Sequence, residues 1–342
     1  MSAYLRHPHL QKPYFYEFHH LASQIDEVFD KSICYDQYFL GPESLSPNFL
    51  AYFRLLASGA KGRAVFQECR SAGRVAWLQR NFGGTHLFLW RNPHDQWWSY
   101  RVDGYFDRAN LLILNAASAP AIFVELRSKL GIAEFHDTDL ERELQHFDAY
   151  CLNPEQSYRL FFALWLHAVL EARPLCSAEI SIDELSASRE YRTQKSVELA
   201  SLGLEGLDFA DCRSPVAEFT PQERQRFFSS EQAVGELFRD HGYTAESVDS
   251  ALRLAHQPIR VLGQEREPPR LRELLLRRQA ELAIYSGELR KLKAELERER
   301  LEVSASRNEL AVQEGRLQKF QLSASWRLTA PLRALRQLVV TR

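Results

Sequence analysis

His86-Leu-Phe-Leu-Trp-Arg-Asn-Pro-His-Asp-Gln-Trp-Trp-Ser-Tyr100 is the stretch that decides the fold of this chain. The apolar run from His86 to Trp90 has the length of a buried strand. Arg91 closes it, and Pro93 and Asp95 open a helix that carries Ser99. A strand that feeds a helix N-terminus aims free backbone N–H groups and the positive end of the helix dipole at one point, which favours an anion. Arg91 adds a cation whose planar fork matches phosphate oxygens, and Ser99 adds a hydroxyl from the helix.

The flanking segments extend this strand–helix unit in both directions. A helix is expected from about His20 to Asp30, a short buried strand over 64–68 and a helix over 73–82. Gly83-Gly84 breaks that helix before the strand of the opening stretch. Residues 120–131 read as a helix behind a proline. A longer helix over 154–172 places Leu160, Phe161, Leu164, Trp165, Ala168 and Val169 on one face. Residues 178–182 read as another strand. Strands separated by helical segments predict an α/β chain with a parallel sheet flanked by helices. Trp97, Trp98, Tyr100, Tyr105 and Phe106 cluster just after the opening stretch. Helical spacing puts His94, Trp97 and Tyr100 on one face, which packing against the sheet explains most simply.

Composition narrows the function classes. Residues 1–264 hold 26 Lys/Arg and 34 Asp/Glu, a balance of −8, which argues against a nucleic-acid surface there. The five cysteines are dispersed and form no Cys-x-x-Cys pair, so a zinc site of the usual spacing is not expected and reduced cytoplasmic thiols are. His7/His9 and His19-His20 lack Cys or carboxylate partners at ligand spacing and read as surface residues. His86 and His94 read as structural. The apolar stretches are too short to span a bilayer, and the N-terminus lacks the apolar core of a signal peptide, so a cytoplasmic protein is expected.

The spacing Arg91-x-Pro93-x-Asp95-x-x-x-Ser99-Tyr100 resembles the 3′-phosphate-binding motif of sulfotransferases, enzymes that use 3′-phosphoadenosine 5′-phosphosulfate (PAPS) as sulfuryl donor. Ile180-Ser-Ile-Asp-Glu-Leu185, followed by Leu202-Gly203-Leu204, is similar to the late strand, turn and Leu-Gly-Leu of the same family, with Asp183 in place of a Tyr-Glu portion. The resemblance covers about residues 60–215. It implies a P-loop NTPase-like sulfotransferase fold over 1–264, with PAPS as co-substrate and no metal. It places Arg91 and Ser99 on the donor's 3′-phosphate. It implies Glu68 as the base that takes the acceptor's proton and Arg70 as the cation that stabilises the leaving charge. A carbohydrate hydroxyl is the implied acceptor. Members of the family also carry a glycine-bearing phosphosulfate loop near the N-terminus. This chain has no glycine before Gly41 and no Gly-Lys pair, and Gly59-Ala-Lys-Gly-Arg63 reads as an ordinary turn. The fold is therefore expected to be N-terminally incomplete: either the chain begins downstream of the loop, or it no longer binds the donor well.

The C-terminal part follows a different period. Leu275, Leu282, Leu289, Leu296, Val303, Leu310 and Leu317 recur every seven residues, the seam of a coiled coil over 265–322. If helical throughout, 275–317 spans about 63 Å and is expected to form a homo-oligomer. Residues 323–342 carry four Arg and no acid, with Trp326 at their start and Leu328, Leu332, Leu335 and Val339 at helical spacing. That is the make-up of an interfacial helix on an anionic membrane. Ser325-Trp-Arg-Leu-Thr-Ala-Pro-Leu-Arg333 resembles tails that follow coiled coils in bacterial glycosyltransferases and methyltransferases of surface-polysaccharide synthesis. It implies a peripheral protein on the inner membrane, near lipid-linked glycans. Two functions follow: a sulfotransferase acting on a surface polysaccharide, or an inactive coiled-coil scaffold for glycan-synthesis enzymes.

Overall fold

Before the first strand the chain forms helices α1 (Ala22–Val28), α2 (Pro47–Gly59) and α3 (Val75–Phe82). The computed structural model from which these elements are taken describes residues 14–67, 70–101, 105–214, 216–257 and 269–321. Pro47 opens α2 at a position where its missing N–H costs nothing. Helix α2 buries Phe49, Phe53 and Leu56, and the two phenylalanines meet Ile33, Leu40, Trp77 and Leu78 in one apolar cluster. Arg74 is buried beside it. Its guanidinium lies 4.2 Å from the centroid of the Phe49 ring and donates to the carbonyls of Ile33 and Gln37. Gly83 and Gly84 take φ of +63° and +85°, a left-handed reversal that side chains resist, and so end α3 and turn the chain into the sheet.

Strand β1 (Leu87–Trp90) follows, and then α4 (Pro93–Tyr100), α5 (Tyr105–Leu114), α6 (Ala121–Lys129), α7 (Leu140–Asp148) and α8 (Pro154–His167). The side chain of Asn153 accepts from the Gln156 amide and Gln156 reaches back to the Asn153 N–H, a reciprocal cap that fixes where α8 begins. Helix α8 is buried nearly all round, with Leu160, Phe162, Ala163 and Leu166 fully enclosed. A π turn over Ala168–Ala172 and a turn with Pro174 lead out of it. Strand β2 (Ala178–Ser181) then pairs in parallel with β1, Leu87 opposite Ala178 and Trp90 opposite Ser181. The helical crossover between them is what a parallel pair requires. Helices α9 (Ile182–Ala187) and α10 (Arg189–Ser201) pack on β2, and Leu185 and Leu199 close a cluster over Ala178 and Ile180. Helix α11 (Pro221–Asp240) packs along α8, and α12 (Ala245–Ala255) folds back on it.

The chain is thus mostly helical and α/β-like, with a small two-stranded parallel sheet among the described residues. Two expectations need correction. Residues 64–67 are irregular rather than a buried strand, and Val65 is 84% exposed. Three apolar residues between Arg63 and Gln67 do not hold a strand without a neighbour to take up their backbone groups. Strand β1 is only half enclosed, because Leu89 is 53% exposed.

The chain divides into two compact units, residues 1–274 and 275–342. Helix α13 (Pro269–Gln321) runs for 53 residues. On it the heptad residues Leu289, Leu296, Val303, Leu310 and Leu317 are between 52% and 67% exposed. The tail, 323–342, lies outside the described residues. No described helix is long and apolar enough to cross a membrane.

Candidate functional site

Parallel pairing sets the C-terminal ends of β1 and β2 side by side, the edge at which α/β sheets present their ligand crevices. Arg91 and Asn92 leave one strand beside Ile182 and Asp183 leaving the other. Asp183 is buried and joins the two ends. Its Oδ2 accepts from the Asn92 backbone N–H at 2.6 Å. Its Oδ1 accepts from Arg91 Nε at 3.1 Å and from Ser214 Oγ at 2.5 Å. Both stretches singled out from the sequence therefore meet through one carboxylate.

Arg91 and Ser99 are also brought together. Arg91 Nη1 lies 3.2 Å from Ser99 Oγ, and the serine hydroxyl donates to the Asp95 carbonyl at 2.9 Å. About two turns of α4 separate Ser99 from the strand end, and the long Arg91 side chain spans them, so residues eight apart meet. The Arg91 carbonyl accepts from Trp165 Nε1 of α8, which ties the turn to that helix. The segment after α10 crosses the same turn: Ala217 N–H donates to Asp95 Oδ1 at 2.8 Å. Burial pushes the Asp95 carboxyl up, the amide of Ala217 draws it down, and the negative charge of Asp183 raises it again; the net shift is upward.

The amides at the start of α4 differ from expectation. Asn92, not Asp95, caps the helix, its side-chain oxygen accepting from His94 N–H at 3.0 Å and Asp95 N–H at 3.4 Å. Two first-turn donors thus have an internal acceptor. The Arg91 guanidinium and the Ser99 hydroxyl, with Asp183 countering part of the charge, remain as the groups of this turn that can meet an anion.

Arg70 sits in a tyrosine cage. Its Nη2 donates to Tyr35 Oη at 2.9 Å and to Tyr105 Oη at 2.6 Å, with the guanidinium 4.3 Å from the Tyr35 ring centroid. These tyrosines, rather than Arg91 or Ser99, are its described partners. Burial pushes the Tyr35 phenol up to about 12, so it stays neutral and accepts from Arg70. Glu68 lies outside the described residues. Two surface recesses of about 520 and 400 Å³ are lined elsewhere, one by residues such as Arg173, Glu179 and Glu198, the other by Gly41, His167 and Tyr243.

A second polar cluster escaped the sequence reading. His94, taken as a structural residue, places Nε2 2.7 Å from Oε1 of Glu231 on α11. His256, just past α12, places Nε2 2.7 Å from Oε2 of the same carboxylate. Tyr158 Oη donates to Oε1 at 2.5 Å. Burial pushes the Glu231 carboxyl up, but hydrogen bonding with His256 and His94 outweighs it and holds the group at about 2. Hydrogen bonding to Glu231 raises the His256 imidazole against its own burial. The clue in the sequence is Glu231 itself. It falls between Phe227 and Val234 on the apolar face of α11, where a carboxylate has no place without partners.

Comparison with protein families, with curated proteins and with solved structures finds no match to this chain.

Proposed function

We propose that residues 1–264 bind PAPS and move its sulfuryl group to a hydroxyl of a carbohydrate acceptor, with Arg91 and Ser99 holding the donor's 3′-phosphate. One observation carries this reading: a guanidinium and a hydroxyl lie 3.2 Å apart at the C-terminal end of a parallel strand. Asp183 is a positioning residue. By accepting from Arg91 Nε it sets the plane of the fork before any nucleotide arrives. In this reading β1 and β2 are neighbouring strands of a P-loop NTPase-like sulfotransferase sheet. Sulfuryl transfer is an in-line displacement: the acceptor oxygen bonds to sulfur as the bond to the bridging oxygen breaks. The hydroxyl proton passes to a base and the negative charge stays on adenosine 3′,5′-bisphosphate. Glu68 is the proposed base and Arg70 the cation for the leaving charge.

Calorimetry with adenosine 3′,5′-bisphosphate tests the donor site. Ser99→Ala is the informative variant, because Arg91→Ala would also strand the buried Asp183. Removing one hydrogen bond to a charged phosphate is expected to weaken binding by about 1.5 kcal/mol, roughly tenfold. The melting temperature is expected to stay unchanged. Absence of binding by the folded wild type, or equal affinity in Ser99→Ala, rejects the assignment.

A second reading is favoured by a specific observation, the apolar seam exposed along α13. In it the chain is a scaffold: α13 self-associates as a coiled coil, the basic tail rests on the inner membrane, and the oligomer gathers glycan-synthesis enzymes. Leu289→Lys/Leu296→Lys puts charges into that seam. Sedimentation is expected to give an oligomer for wild type and the chain mass for the double variant. A monomeric wild type excludes self-association through 275–317 in either reading.

A further inference from the structure

We propose that His94, Glu231 and His256 form a binding site for one zinc ion, joining α4, α11 and the end of α12. The three donor atoms come from distant parts of the sequence yet lie within 4.8 Å of one another. Two imidazole nitrogens and one carboxylate are a donor set that suits zinc and its transition-metal neighbours, whereas magnesium and calcium take oxygen shells. Three protein ligands leave a fourth tetrahedral position for water.

The state of Glu231 is the second, independent observation. It is 0% exposed, and its described charge partners are two imidazoles rather than an arginine or lysine. His256 Nε2, 2.7 Å away, is the described contact of Oε2. A fully buried carboxylate whose charge is met by imidazoles can bind a cation in place of the imidazole protons.

The surroundings are those of a metal shell. Tyr158 Oη donates to Oε1 and fixes the rotation of the carboxylate. The His94 ring stacks on Phe227 with centroids 4.6 Å apart and planes 16° from parallel, and Phe219 closes another side. These rings keep water from the back of the cluster and hold the His94 nitrogen on Glu231. The His256 side chain, 42% exposed, marks the side from which an ion enters. Asn92 Nδ2 donates to the carbonyl of Ala255, the residue before His256, so the same two segments are already tied one step away. A zinc ion would therefore lock α11 and α12 onto the turn that carries Arg91. This inference stands apart from the nucleotide reading, because none of its three ligands is assigned to the donor.

The test uses the full chain, freed of metal by a chelator and titrated with zinc by calorimetry and with cobalt by visible absorption. One equivalent per chain is expected for wild type, with the intense visible bands of tetrahedral cobalt and a zinc-dependent rise in melting temperature. His256→Gln, at the most exposed ligand, is expected to keep the fold and weaken binding at least about tenfold, with loss of the cobalt bands. His19→Gln/His20→Gln is expected to bind like wild type. Failure of the folded wild type to bind zinc, equal affinity in His256→Gln, or loss of binding in His19→Gln/His20→Gln would overturn the site.

Discussion

Asp183→Ala is expected to cost the first unit about 3 kcal/mol, a large share of the roughly 5–15 kcal/mol that holds a domain together. The loss has separate physical sources. Arg91 keeps its charge in a largely buried position with no carboxylate beside Nε. The Asn92 backbone N–H, which sits at 2.6 Å from Asp183 Oδ2, loses its acceptor, as does the Ser214 hydroxyl. Each buried donor left without an acceptor carries a desolvation penalty of its own. The remaining exposure of the Arg91 side chain, 17%, keeps the cost at the lower end of the range for broken buried pairs. Asp183→Asn separates the bond across the strand ends from the contacts to Arg91 and Ser214. An amide oxygen still serves the Asn92 N–H, while the amide NH2 cannot accept from Arg91 Nε or Ser214 Oγ as Oδ1 does, so the Arg91 ion pair and these acceptor contacts are lost and about half the effect should remain. Urea unfolding followed by tryptophan fluorescence measures both, since Trp165 bonds to the Arg91 carbonyl. An Asp183→Ala midpoint within about 0.5 kcal/mol of wild type would mean that something other than Asp183 holds the strand ends together.

What the sequence revealed of this site follows from the range of the forces involved. The β1–α4 turn was legible because its determinants are local: an apolar run, an arginine, then a proline in the first helical turn. Even there Asn92 rather than Asp95 turned out to be the cap, since both residue types fill that role and Pro93 settles which one stands at N-cap. The strand expected over 64–68 failed because a strand is made by its neighbour, and apolar composition around Val65 says nothing about whether a neighbour exists. Strand β2 succeeded because Leu87 to Trp90 supply that neighbour. The His94–Glu231–His256 cluster was illegible as a motif, because its members are 137 residues apart along one edge and meet only after α8, α11 and α12 have packed. The heptads of α13 repeat one short-range rule for seven turns of the pattern, so the continuous helix could be read directly.

Acid should destabilise the first unit through His167, and the sign follows from where this imidazole lies. It is buried at the end of α8 between the rings of Phe39 and Phe123, at centroid distances of 5.2 and 5.3 Å. Its Nδ1 has no hydrogen-bond partner among the described residues. Burial drives its pKa down from 6.5 to about 4, and Glu171, one turn on, offsets this only in part. The folded chain therefore holds the neutral ring while the unfolded chain takes up a proton below about pH 6.5. Stability from this group is complete above that pH, declines as pH falls, and is exhausted once pH drops below about 4. A shift of this size corresponds to about 3 kcal/mol in total and about 2 kcal/mol by pH 4.5. Other groups titrate nearby with different signs. Glu231, held at about 2, loses its contribution only at lower pH. Asp95 and Asp107, both raised chiefly by burial, favour the folded state as acid is added. The difference between wild type and His167→Leu isolates the imidazole, because these carboxyls are common to both chains. Urea midpoints at pH 7 and pH 4.5 should show a loss in wild type about 2 kcal/mol larger than in His167→Leu. Parallel pH curves for the two proteins would mean that His167 finds a proton acceptor in the folded chain and is not held neutral by its aromatic pocket.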